Sequence, residues 1–162
     1  MLPTARLTSS KHQTKMQQLD AIIYDAITAD AAIMTAIGSR VVSTCFEVPP
    51  TEDDNTPLPN IIITDDGFQN QVGTKDTVWE SGDDRVQVSV DVAAQSPNEV
   101  KALIKAVRRA IEAHMVSLYQ QGEYTPELEN LSSGGLAWDW MKPCYYQKLT
   151  YQCITQSDTD NE

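Results

Sequence analysis

The stretch DDRVQVSVDVAAQSPNEVKALIKAVRRAIEAH, from Asp83 to His114, changes its hydrophobic period within a few residues. Val86, Val88, Val90 and Val92 alternate with Arg85, Gln87, Ser89 and Asp91, the pattern of a strand with one apolar face. SPNE then supplies three helix-start signals at once. Ser96 is the N-cap, Pro97 stands at the first helical position, and Glu99 completes a capping box. Beyond it Val100, Leu103, Ile104, Val107, Ile111, Met115 and Leu118 recur at helical spacing, which predicts a helix of about 22 residues, roughly 33 Å long. A one-sided strand joined by so short a turn to a one-sided helix buries both apolar faces by laying one on the other. Val86, Val88, Val90, Val92, Val100, Leu103, Ile104, Val107 and Ile111 are therefore the expected core. Burial of each such side chain contributes roughly 1.5–3 kcal/mol.

The flanking segments extend this unit. Met16, Leu19, Ile23, Ala26 and Ile27 form a second helical stripe. Asp30 can cap a short further turn carrying Ile33, Met34 and Ile37, and Gly38 ends it. RVVSTCFEV reads as a strand and NIIITDD as another, short and β-branched. Between them, residues 47–59 hold four prolines and four acids, which predicts an extended loop. Residues 67–84 are polar, with Gly73, Gly82 and Trp79, and are expected to form a second extended loop, a hairpin or arm. Gln120 to Gly135 reads as loop, LAWDWMKP as a short strand, and CYYQKLTYQCIT as the closing strand. The expected fold is α+β and two-layered: a mainly antiparallel sheet of about four to five strands with two main helices on one face. The domain is expected over residues 16–155, with a flexible polar arm at 1–15 and a disordered acidic tail at 156–162.

A chain of 162 residues can bury one core without disulfides or metals. The three cysteines Cys45, Cys144 and Cys153 are odd in number and lack a C-x-x-C spacing, which argues against a disulfide framework or a zinc site. The net charge of −11 disfavours wrapping nucleic acid or docking on an anionic membrane. Candidate catalytic groups are sparse. His12 lies in the polar arm, and His114 stands beside the apolar stripe of the long helix, where a structural histidine is the plain reading. The acidic pairs Glu52–Asp54, Asp65–Asp66 and Asp83–Asp84 lack calcium-loop spacing, and neither a phosphate-binding glycine loop nor a G-x-S-x-G elbow occurs. The chain is expected to be a non-enzyme, with no cofactor and no metal.

Charge distribution is more informative. Residues 47–84 carry ten acids, Glu52, Asp53 and Asp54 among them, and one base, Lys75. The long helix carries Lys101, Lys105, Arg108 and Arg109, four of the chain's twelve basic residues. The plain reading is a solvated helix face. The sharper reading is complementarity between copies, in which one subunit's basic helix meets the next one's acidic loop and the contact closes into a ring. Trp79, stranded in a polar segment, and Phe68 at that segment's other end are candidate interface anchors. Trp138 and Trp140, two apart, fall on one face of the short strand and read as core or sheet-end packing.

The phrase IYDAITADAAIMTAIGSRVV, a Pro-rich loop, a strand, and then the strand–helix unit resemble the tail-terminator (tail-completion) proteins of long-tailed bacteriophages. The family phrase D-A-x-(I/L)-x-A-(I/L)-G-x-R-V is met here by Asp30, Ala31, Ile33, Ala36, Ile37, Gly38, Arg40 and Val41. The resemblance runs from Met16 to Leu118, plus the closing strand. It implies a small α+β subunit of the virion tail or neck, assembled in the host cytoplasm as a ring homo-oligomer of six copies. That ring would sit on the head-proximal end of the tail tube, stop its polymerisation, and contact the tube protein and the head-connector protein. DNA would pass through its channel without specific binding, and no membrane would be involved. A head–tail adaptor or stopper is the alternative within the virion. A non-viral cytoplasmic ligand-binding domain is the alternative outside it. Against a minimal member of the family, residues 47–59, 67–84 and 120–135 look like additions.

Overall fold

The computed structural model describes residues 19–38, 40–43, 57–71, 83–122 and 128–156. Among the described residues, three helices and six strands follow in the order α1 (Leu19–Thr28), α2 (Ala31–Ile37), β1 (Val41–Ser43), β2 (Asn60–Gln71), β3 (Asp83–Ala94), α3 (Pro97–Gln120), β4 (Leu128–Ser133), β5 (Ala137–Asp139) and β6 (Cys144–Gln156). The fold is α+β.

The family-like phrase between α1 and β1 is a compact set of local devices. Asp30 accepts a hydrogen bond from the Ile33 N–H at 2.9 Å and so caps α2. Ile33 and Ile37 face the core. Gly38, at φ 60, closes the helix, its N–H donating to the Met34 carbonyl at 2.8 Å. The Arg40 guanidinium reaches back to the Ala36 carbonyl at 3.4 Å, and the Arg40 carbonyl accepts from the Ile61 N–H at 3.1 Å. One phrase therefore ends a helix and hands the chain to the sheet at Val41, which is buried.

The sheet order is β1-β2-β3-β6-β4, with β5 pairing the other end of the same β6 edge that β4 occupies. All pairs are antiparallel except β1 with β2. That one parallel pair departs from a reading in which loop connections imply antiparallel neighbours. A parallel return needs a long connection, and the sixteen residues between β1 and β2 are enough to supply one. In β3, Val86, Val88, Val90, Val92 and Ala94 share the helix face with Ile61 and Ile63 of β2 and Leu149, Tyr151 and Cys153 of β6. The inner face of α3, Val100, Leu103, Ile104, Val107, Ala110 and Ile111, joins the same cluster, as do Leu19, Ile23, Ala26 and Ile27 of α1. α1 packs on α3, β1 and β2, and α3 packs on β3 and β6. The helices thus form one layer and the sheet the other.

Several segments differ from the expectation. β2 continues through Gly67 to Gln71 and β3 begins at Asp83, so both ends of the stretch 67–84 are ladder. Main-chain pairing such as Asn70 with Asp84 needs no apolar side chain, so it leaves no hydrophobic signature. A bulge between Asp65 and Phe68 shifts the register. There Gly67 takes φ 86, and its N–H donates to the Asp65 carboxylate at 2.8 Å. β4 lies inside Gln120–Gly135, which had read as loop. It is an edge strand holding only to β6, and an edge strand needs no buried alternation. Gln156, expected to open the tail, still belongs to β6. β5 stops at Asp139, so Trp140 falls in the turn beyond the strand and is exposed, contrary to the packing expected from two-residue spacing. Residues 1–15, residues 47–56 of the expected loop, Trp79, and residues 157–162 of the expected tail lie outside the described residues.

Candidate functional site

Three surfaces stand out among the described residues, and each follows from where the two-layer fold leaves side chains without cover. The first is the outer ridge of α3. Lys101, Lys105, Arg108 and Arg109 are all exposed and lie on the side opposite the buried stripe, a consequence of the 3.6-residue period. Further along the same ridge Glu112, Val116 and Tyr119 are exposed, so the ridge turns from basic to apolar toward the helix C-terminus.

The second surface is a groove of about 310 Å³ between the C-terminal half of α3 and the edge strand β4. It forms because α3 lies over β3 and β6, leaving β4 uncovered on that side. Ile111, Met115, Val116 and Leu128 make its apolar body, and Arg108, Glu112 and Asn130 its polar rim. Tyr151 lies at its base. Burial pushes the Tyr151 phenol up to about 12, with Arg108 pulling only partly the other way, so the hydroxyl stays protonated at neutral pH.

The third surface is the β5–β6 turn. Trp140 is 86% exposed and Met141 91% exposed. The Asp139 carboxylate accepts from the Met141 N–H at 2.9 Å and the Lys142 N–H at 3.3 Å, an Asx-type turn that fixes the backbone beneath them. Trp138 packs edge-on against Trp140, ring centroids 6.1 Å apart, and against Tyr145 at 4.6 Å. A signal for this turn was present in DWMKP: an Asx residue at its start and a proline at its end mark a turn more strongly than the Trp spacing marks a strand.

The sheet face opposite the helices is polar. Ser89 donates a hydrogen bond to Asp66, Gln152 donates to Glu129 at 2.7 Å, and Lys148 faces Asp91 at 3.8 Å. Burial raises the Asp91 carboxyl above its ordinary value, and the neighbouring Asp66 adds to it, while Lys148 opposes them. The thiols of Cys144 and Cys153 are buried and pushed up by desolvation, Cys153 to about 11, which makes them weak nucleophiles. Among the described residues no group of three or more His, Cys, Asp or Glu side chains is placed to hold a metal ion. No helix among them is long and apolar enough to cross a membrane.

Of the residues singled out by sequence, Lys101, Lys105, Arg108 and Arg109 come together on one ridge. Phe68 stands on β2 in register with Val86. Glu52, Asp53, Asp54 and Trp79 lie outside the described residues. The α3–β4 groove and the exposed apolar turn were not legible in the sequence as surface features. The groove depends on two segments meeting that are remote in sequence.

None of the curated proteins matches this sequence. Among solved structures, a chain from the virion of a native gene transfer agent particle is similar over 86% of this chain and 95% of that chain, at 13% identity and a TM-score of 0.45. The family model for the tail completion protein gp17 matches residues 21–129, about two thirds of the chain. The matched span runs from α1, through the capping phrase and the β3–α3 unit, to the first residues of β4. With that frame in place the chain belongs to the tail completion protein gp17 family, and it is a structural component of a phage-type virion tail.

Proposed function

We propose that the protein assembles as a ring of its own copies, six in number, at the head-proximal end of the tail tube. There it ends tube polymerisation and joins the tube to the head connector. The observation that carries this reading is the family match across the helix–strand–helix frame. A ring is the closed form of a head-to-tail contact, and a subunit with unlike charges on separate segments favours one. Here those segments are the exposed α3 ridge and the acid-rich stretch 47–84. The role asks for surfaces rather than catalysis. A net charge of −11 suits a channel wall that lets DNA phosphates pass without holding them.

Electron microscopy of particles made without this chain tests the role. Overlong tubes are the expected result. Tubes of normal length that lack heads would assign it instead to the head–tail joint, as an adaptor or stopper.

A further inference from the structure

The most exposed apolar side chains and the apolar groove sit at opposite ends of β6. The turn bearing Trp140 and Met141 leads into Cys144, whereas the groove opens beside Tyr151. From Tyr145 to Tyr151 the strand covers roughly 20 Å, so a subunit's own turn does not fill its own groove, and both can be engaged at once. We propose that Trp140 and Met141 of one subunit seat in the α3–β4 groove of a second copy, forming the apolar anchor of a head-to-tail contact. This inference rests on the ring reading above.

Three observations identify a second copy as the occupant. The first is shape and polarity. The turn presents two large apolar side chains, and the groove offers an apolar body of Ile111, Met115, Val116 and Leu128 in a space fit for a group of that size. The second is charge. Asp139 and Lys142 flank the turn residues, and Arg108 and Glu112 stand on the groove rim, so the two patches carry both signs and can be matched in opposite pairs across the contact. The third is preorganisation. The Asp139 turn and the edge of Trp138 hold Trp140 in place before binding, which lowers the entropy lost when it is buried. A turn and a groove that are different patches make a heterologous contact, the type that closes into rings.

Sedimentation velocity over a concentration series, with tryptophan fluorescence read in parallel, tests the contact. Three chains are compared: wild type, a Trp140→Ser/Met141→Ser variant lacking the turn side chains, and a Val116→Glu variant with a charged groove. Trp140 and Met141 are 86% and 91% exposed, so the first variant is expected to keep the wild-type melting temperature. Val116, at 56% exposed, allows the same check for the second. The expected result is an assembling wild type whose tryptophan emission shifts to shorter wavelength on assembly. Each variant should associate roughly tenfold or more weakly. Mixing the two variants should give heterodimers and no larger species, because each lacks one half of the contact and retains the other. If the wild type assembles and both variants assemble equally well, this contact is wrong and the ring reading stands. If the variants assemble normally but lose binding to tail tubes, the groove takes the tube protein and the proposal falls. A wild type that stays monomeric at every concentration, alone and with tail tubes, removes the ring reading and this contact together.

Discussion

Asp91 shows how a single side chain can work against the fold that holds it. Its carboxylate lies 3.8 Å from Lys148, an attraction across a half-exposed pair that is worth little. Burial outweighs that attraction and the Asp66 charge adds to the penalty, so the folded-state pKa is raised. A group whose folded pKa exceeds its unfolded value takes up protons on folding. The stability it lends is fully present below the unfolded pKa and is lost as pH rises through the folded one. An Asp91→Asn variant removes that dependence. Its stability relative to wild type is therefore expected to climb as pH is raised through the carboxylate range, measured by thermal melts at a series of pH values. A relative stability that falls over that range would mean that Lys148, not burial, governs the site. Ser89 and Gln152 satisfy their buried polar groups through Asp66 and Glu129, so the same face carries both satisfied and strained polar side chains.

Among the elements, α3 bears most of the consequences. Its start is set by Ser96, whose hydroxyl accepts from the Glu99 N–H at 3.2 Å, with Pro97 preset for the first turn. Replacing that serine with alanine should cost about 1 kcal/mol, and Ser96→Asp should restore most of it, as chemical denaturation would show. One face of α3 is core. Ile104→Ala should cost roughly 2–5 kcal/mol in the same measurement, since the residue is buried between the helix and the sheet. The other face is exposed, and is the assembly surface in the proposed ring, so Lys101 or Lys105 can change without touching the core. A Lys101→Glu/Lys105→Glu variant that unfolded as readily as Ile104→Ala would show that the two faces are not separable. β4 and β5 are weaker elements, short and held only to β6, and their value is positional. One borders the groove and the other ends in the aromatic turn.

At the scale of the whole molecule, a chain of net charge −11 keeps its subunits apart unless the interface reverses the sign locally. In the proposed ring the basic α3 ridge would do so. Charge across a rim acts mainly on encounter rate, while a desolvated aromatic anchor acts on dissociation. Added salt is therefore expected to slow association of the subunits more than it speeds their separation. The Lys101→Glu/Lys105→Glu variant should reproduce the slow association at low salt. Stopped-flow mixing monitored by tryptophan fluorescence would check both, and a dissociation rate that dominates the salt response would place charged groups inside the anchor rather than around it.

Local instructions in this chain are strong where the period is clean. The two-residue beat of Val86 to Val92, the SPNE start and the stripe from Val100 to Ile111 determine a strand, a helix, their buried faces and the order in which they meet. The capping phrase from Asp30 to Val41 likewise states its own geometry, because every bond it makes lies within a few residues along the chain, apart from the Ile61 link. Tertiary structure alone decided the rest. The parallel seat of β1, the edge pairing of β4 and the groove beneath α3 all depend on which remote segments share the sheet. Main-chain ladder bonds carry no side-chain pattern by which that partner could be read. The exposure of Trp140 was decided in the same way: its neighbours in space are set by where β5 ends against β6, and two-residue spacing along the sequence does not encode that end.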